Sequence, residues 1–180
     1  MDEDLKSNRE KRSFLYAESP WAKTNLIKEA EARGVAGQRL VFAAHLPMNE
    51  YLSRYQICDL FLDTFPYNAG TTASDALWAG LPVLTLMGSS FASRVAASIL
   101  IAVELSELIT TTQEGYEELA IDLANNPEKL SAIKKSLSSS RLTAPLFDTP
   151  RFTKHFEQAF TQIMERYWDD LPIDHIQYLS

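Results

Sequence analysis

The stretch with most chemical potential is Phe61 to Gly80, FLDTFPYNAGTTASDALWAG. It reads as strand, loop and helix: an apolar run ending at Asp63, a loop of small residues at Asn68-Ala69-Gly70, and a helix opened by Thr71 and Thr72. In an open α/β sheet, ligands bind outside the carboxyl ends of the strands. Small loop residues let a ligand approach the backbone closely. A helix start offers unpaired N–H groups and a partial positive charge, which suit a phosphate. The hydroxyls of Thr71 and Thr72 add donors there, and Asp75 follows Thr72 by about one helical turn. A structural reading competes. Thr72-x-x-Asp75 fits the looser T-x-x-D form of a capping box, and Gly70 reads equally as a turn residue. Spacing alone favours the cap slightly over phosphate binding, since most loops after strands bind nothing. The segment has neither the G-K-[ST] of a Walker A loop nor a G-x-G-x-x-G.

A second candidate is His45-Leu46-Pro47 with Tyr51 and Arg54. His45 closes an apolar run, so it belongs at a carboxyl strand end. Tyr51 and Arg54 are i, i+3 and share a helix face. An aromatic ring and a guanidinium can stack on and hydrogen-bond a flat base. Taken alone, Tyr51 packed on the core and Arg54 in water is the commoner arrangement, and His45 alone reads as a loop residue. Ser89, Ser90, Ser93 and Arg94 suggest another anion site or a helix cap. His155 and His175 have no metal-ligand spacing, and no G-x-S-x-G elbow is present.

The elements that must position these groups alternate. Ser13 to Ala17 reads as a short strand, and Ser19-Pro20 opens a helix that Gly34 stops. Strands are expected at 39–44, 58–63, 82–86 and 106–109, and helices at 48–56, 71–79 and 92–102. That order implies βαβ units, a parallel sheet and helices on both faces. Helices follow at 113–124, 127–139 and from Thr149 to Trp168, the last with Phe152, Phe156, Phe160, Ile163 and Tyr167 on one face. The expected organisation is a polar, poorly ordered start at 1–12, a Rossmann-like core at 13–110, a helical extension at 111–170 packed on it, and a tail at 171–180.

Composition narrows the class. The chain has 180 residues, 17 basic and 24 acidic side chains and a formal charge of −7. A broad nucleic-acid surface does not fit that charge. One cysteine, Cys58, excludes an internal disulfide framework and a multi-cysteine zinc site. No apolar run reaches the ~18 residues of a membrane span. The charged start MDEDLKSNREKR has no signal-peptide core, so the expected location is the cytoplasm.

The run from Phe61 to Gly80, with GLPVLTLMGSSFASRVAAS at Gly80 to Ser98 directly after it, closely resembles the carboxyl-terminal lobe of O-linked N-acetylglucosamine transferase-like proteins. The likeness continues through HLPMNEYLSRYQICDLFLDT (His45 to Thr64) and PLFDTPRF (Pro145 to Phe152), and covers about residues 14 to 170. The resemblance implies a GT-B architecture, in which two Rossmann-like lobes hold a sugar nucleotide in their cleft. It implies inverting transfer of N-acetylglucosamine, or of another hexose, from a UDP-sugar to protein side chains, with no metal or other cofactor.

By the same resemblance, Thr71 and Thr72 meet the pyrophosphate, with Asn68, Ala69 and Gly70 forming the loop beside the donor. Asp75 accepts from the ribose hydroxyls, Tyr51 stacks on uracil with Arg54 near it, and the Leu46 backbone reads the base edge. Departures are plain. The sequence has Asn68-Ala69-Gly70 where animal members place a His just before the two Thr, and Met48 where they have a Lys. The family's pyrophosphate-binding Lys lies upstream of this lobe, and neither Lys6 nor Lys11 matches it. No residue is assignable as the catalytic base. The expectation is therefore the donor-binding half of a glycosyltransferase, a truncated or partial chain. Its implied partners are a UDP-sugar, a protein acceptor, the missing amino-terminal lobe and tetratricopeptide repeats, with no nucleic acid. The alternative is a non-catalytic nucleotide- or protein-binding module derived from that lobe.

Overall fold

A computed structural model describes residues 11–17 and 19–176 of the chain. Most of the polar start, expected to be poorly ordered, lies outside the described residues, as do the last four residues of the tail. The chain divides after Arg54 into two compact units.

The first unit is one βαβ motif. Strand β1 (Ser13–Tyr16) pairs in parallel with β2 (Leu40–Ala43), Ser13 opposite Leu40 and Tyr16 opposite Ala43. Parallel neighbours need a crossover, and α1 (Pro20–Ala32) supplies it. Ser19 holds the extended N-cap conformation and Pro20 takes the first helical position, where its missing N–H costs nothing. The helix ends as expected at Gly34, whose φ of 77° suits glycine alone at low cost. Helix α2 (Met48–Arg54) follows β2. No described residue of this unit is fully buried.

The second unit holds the core. A tight turn at Tyr55–Ile57 leads to β3 (Phe61–Leu62), then α3 (Thr71–Trp78), β4 (Val83–Leu86), α4 (Val95–Ala102) and β5 (Ile109–Thr110). The sheet order is β3-β4-β5, all parallel, with Leu62 opposite Leu84 and Leu86 opposite Thr110. β4 is the central strand, and Val83, Leu84 and Thr85 are fully buried. That explains why PVLTL is a continuous apolar run with no alternation. Leu77 of α3 and Leu100 of α4 meet it in the core, together with Val103, Leu105 and Leu108.

Two helices then close the unit. Thr112 caps α5 (Gln113–Asn125) by accepting the Gly115 N–H, and Pro127 opens α6 (Pro127–Ser140). Leu130, Ile133 and Leu137 of α6 share one face and are buried with Leu123 of α5. Burial of a leucine side chain of this kind stabilises by about 1.5–3 kcal/mol. Helix α7 (Thr149–Trp168) begins at Asp148, whose carboxylate caps the Arg151 N–H, and it buries none of its residues. The extension expected at 111–170 thus divides: α5 and α6 seal the core, and α7 leaves its aromatic stripe in solvent. Its rings pack on one another instead, Phe152 on Phe156 at 5.8 Å and Phe156 on Phe160 at 4.8 Å between centroids.

Three local expectations differ. The strand expected at 58–63 shrinks to Phe61–Leu62, because the chain turns through Tyr55–Ile57 just before it; Asp63 still donates to Leu84 at the strand end. The helix expected from 92 starts at Val95, because Ser89 to Arg94 form a turn closed by Ser90 and Ser93. The last strand is shifted to Ile109–Thr110, after a single helical turn at Ser106–Leu108. Among the described residues, no helix is long and apolar enough to cross a membrane.

Candidate functional site

The loop from Asp63 to Gly70 leaves the carboxyl end of β3 and delivers the chain to α3. Its shape is set by side chains that bond to backbone. Asp63 is buried, and its carboxylate accepts from the Ala69 N–H at 2.8 Å and from the Thr85 hydroxyl of β4 at 2.7 Å. The Tyr116 hydroxyl of α5 donates to the Asp63 carbonyl at 2.9 Å. Asn68 is also buried; its side-chain amide donates to Thr64 O at 3.0 Å, and its backbone N–H donates to Ala92 O at 3.0 Å. The Asn68 Oδ1 has no protein partner. Phe65 rests edge-on against the Tyr116 ring at 5.9 Å.

Burial pushes the Asp63 carboxyl above its ordinary value, although bonds from Thr85 and Ala69 oppose the rise. Burial, with the Asp63 charge nearby, pushes the Tyr116 hydroxyl up to about 12, so it remains a donor across the neutral range.

Gly70 is the N-cap of α3, and its carbonyl accepts from Ala73 and Ser74. Thr71 and Thr72 are the first two helical residues, so their N–H groups have no carbonyl inside the helix to meet. Their side chains are exposed. This answers the capping question left open by spacing. Thr72 lies inside the helix, no side chain caps α3, and the T-x-x-D pattern does not form a capping box here. Around this helix start lies a concavity of about 420 Å³ lined by Tyr67, Asn68, Gly70, Thr71, Thr72, Phe91, Ala92 and Val95. Val95 is also what a Cβ on Gly70 would touch, at 3.5 Å.

Of the residues singled out from sequence in this segment, Asn68, Gly70, Thr71 and Thr72 line one concavity. Ala69 does not line it; its N–H is held by Asp63. Asp75 lies one turn along α3, half-buried, and is not a lining residue. The other group belongs to the first unit. Leu46 is half-buried in the turn after β2, and Tyr51 is half-buried on α2. Arg54 donates to Ala44 O at 2.8 Å and so ties the end of α2 to the end of β2.

Sequence reasoning missed Asp63, Thr85 and Tyr116, which lie 22 or more residues from one another along the chain. Only the β3–β4 register and the packing of α5 bring them together. It also missed Tyr67 and Phe91, large aromatics that the structure leaves exposed at the concavity. The serines at 89–93 do not form an anion site of their own. Ser90 and Ser93 bond to each other at 2.9 Å, and Arg94 donates to Gly88 O at 3.2 Å, which closes the turn. Among the described residues, no group of three or more His, Cys, Asp or Glu side chains is placed to hold a metal ion.

A strand, a small-residue loop and a helix start facing an open concavity form a general anion-binding arrangement. Comparison with known proteins decides the family: the profile of glycosyl transferase family 41 matches residues 15–156. The chain belongs to glycosyl transferase family 41. This family 41 chain is 38% identical over 152 residues to a probable UDP-N-acetylglucosamine–peptide N-acetylglucosaminyltransferase, SEC, of Arabidopsis thaliana. It is 35% identical over 152 residues to the UDP-N-acetylglucosamine–peptide N-acetylglucosaminyltransferase of Caenorhabditis elegans. Each match covers 84% of this chain, but only 16% and 13% of those proteins. A solved structure of a mutant O-GlcNAc transferase from Thermobaculum terrenum matches with a TM-score of 0.79 and 34% identity, over 84% of this chain and 30% of that one. The fold class is thus the expected one, an α/β lobe of a GT-B glycosyltransferase.

Proposed function

We propose that this chain is the donor-binding half of an inverting, UDP-sugar-dependent glycosyltransferase that transfers N-acetylglucosamine or another hexose to protein side chains. The observation that carries the reading is the concavity at the start of α3, where Thr71 and Thr72 sit exposed as the first helical residues, directly after a loop held by Asp63 and Asn68. The diphosphate of the donor sits at this helix start. Tyr51, Arg54 and the Leu46 backbone serve the uracil, and Asp75 the ribose. The acceptor, the catalytic base and the second lobe come from outside these 180 residues, with tetratricopeptide repeats among the implied neighbours, and the working location is the cytoplasm.

The chemistry follows from charge. As the bond from the anomeric carbon to the diphosphate oxygen breaks, negative charge grows on UDP and positive charge on the sugar ring. The N–H groups of Thr71 and Thr72, their hydroxyls and the positive end of α3 are already aimed at the growing charge. Donors fixed beforehand stabilise the transition state without reorganising, and they act best where water is excluded. No cofactor enters this scheme, and a metal has no part in it. The net charge of −7 opposes an anionic ligand, so the attraction is local.

Isothermal titration with UDP tests the proposal. The chain should bind UDP in the micromolar-to-millimolar range, and Thr72→Ala should weaken binding about tenfold, the usual worth of one hydrogen bond to a charged group. An absence of binding at millimolar UDP, or an unchanged affinity for Thr72→Ala, refutes it.

A further inference from the structure

Asp63 is a buried acid to which donor binding, as described so far, gives no role. Its hydrogen-bonding partners are all neutral: the Ala69 N–H at 2.8 Å, the Thr85 hydroxyl at 2.7 Å and the backbone N–H of Thr64. A carboxylate kept out of water with neutral partners costs stability, and its raised pKa reports that cost. Sites that break a local rule in this way are commonly functional ones.

The geometry shows what the carboxylate does. It bridges from the end of β3 to Ala69, the residue just before the N-cap of α3, and so closes the loop on itself. Its other oxygen is tied to the central strand β4 through the fully buried Thr85, whose own carbonyl accepts the Thr110 hydroxyl of β5 at 2.9 Å. Tyr116 holds the Asp63 backbone from α5. Asn68 ties the middle of the loop to Thr64 and Ala92. The position of Gly70, and with it the direction of the Thr71 and Thr72 N–H groups, is therefore referred to the central strand through the short bond from Thr85 to Asp63, with a longer one from the Asn68 amide to Leu86 O of the same strand at 3.4 Å.

We propose that Asp63 is a positioning residue: by binding Ala69 N–H and Thr85 Oγ1 it closes the 63–70 loop and aims the start of α3 at the diphosphate without touching it. The inference rests on the donor-binding reading above and adds to it the residue that sets the geometry. Asp63 is absent from the lining of the concavity, so any effect of its loss on UDP must travel through the loop.

The test combines UDP titration with amide NMR on the whole chain. Asp63→Ala should weaken UDP about ten- to hundredfold, since one charge-assisted bond that aims several donors is lost. Asp63→Asn should restore most of the affinity, because an amide can accept from Ala69 and donate to Thr85 Oγ1. Thr72→Ala should cost less UDP affinity in the Asp63→Ala background than in the native chain, because a hydroxyl no longer aimed has less to lose. In the native protein the Ala69 amide proton should lie downfield and shift as Asp63 titrates; in Asp63→Asn it should not titrate. A folded Asp63→Ala with native UDP affinity, or additive losses with Thr72→Ala, overturns the inference and leaves the donor site standing. A native chain that binds no UDP overturns the donor site and the inference together. If Asp63→Ala does not fold, Thr85→Val carries the comparison: weakened UDP supports the inference, and native affinity overturns it.

Discussion

Gly88 offers a sharp test of how the second wall of the concavity is built. Unlike Gly34 and Gly80, it does not sit at positive φ, so backbone freedom is not why it is glycine. Space is the reason. A Cβ at Gly88 would lie 2.5 Å from Ser93 Oγ and 2.8 Å from Ser93 Cβ. Ser93 is buried and cannot swing away: its hydroxyl donates to Ser90 O at 3.0 Å and accepts the Ser90 N–H at 3.0 Å, and Gly88 N–H donates to Ser93 O at 2.9 Å. The Cβ contact fixes the argument, since a rotamer change relieves Oγ but leaves Cβ in place.

Gly88→Ala must therefore move the 88–93 turn, at a cost of about 1–3 kcal/mol, as for other forced insertions into packed sites. For a chain of this size that corresponds to a fall in Tm of about 3–9 °C. Phe91 and Ala92 ride on the same turn and line the concavity, so UDP affinity should fall as well. Calorimetry on Gly88→Ala in two backgrounds measures it. In native protein the loss should be full; in Ser93→Gly, which has neither clashing atom, Gly88→Ala should cost almost nothing. Equal costs in the two backgrounds, or no cost in the native one, would show that the contact with Ser93 is not what selects glycine.

Other expectations are simpler. Because Asp63 has a raised folded-state pKa, the folded chain holds this proton more tightly than the unfolded chain does. Its contribution to stability is complete below the ordinary aspartate value and is lost as pH rises through the raised one. Urea midpoints against pH should thus move in favour of Asp63→Asn as pH rises through that window; a shift in the other direction would mean that Asp63 is stabilised as an anion. In the core, Leu137→Ala should cost about 2–5 kcal/mol, as expected for a fully buried leucine. Phe156→Ser on the exposed stripe of α7 should change the unfolding free energy from urea titration by less than about 1 kcal/mol, and a loss like that of Leu137→Ala would place α7 in the core after all.

Much of this molecule is local and so was legible in one dimension. Ser19-Pro20 and Gly34 bracket α1, Pro127 opens α6, and Thr149-Pro150 opens α7, because caps and prolines act within a turn of where they stand. The apolar run PVLTL announced a strand buried on both faces. The helix start at Thr71 and Thr72 was visible for the same reason, as was the likeness to family 41 carried by the residues around it. What the spacing of Thr72 and Asp75 left undecided was whether they cap the helix. Tertiary structure decided that, by placing the N-cap at Gly70.

Tertiary structure alone also decided what holds the site. Asp63 in FLDT looks like a polar residue closing a strand, and nothing nearby in the sequence marks it as buried. Its partners Thr85 and Tyr116 arrive through the β3–β4 register and the packing of α5, contacts between residues 22 and 53 positions apart. The serine turn at 89–93, which resembled a second anion site, is closed by its own hydroxyls. Sequence determines which groups a segment can offer. Whether a carboxylate or hydroxyl is free for a ligand or already engaged depends on who meets it across the sheet, and only the folded chain settles that.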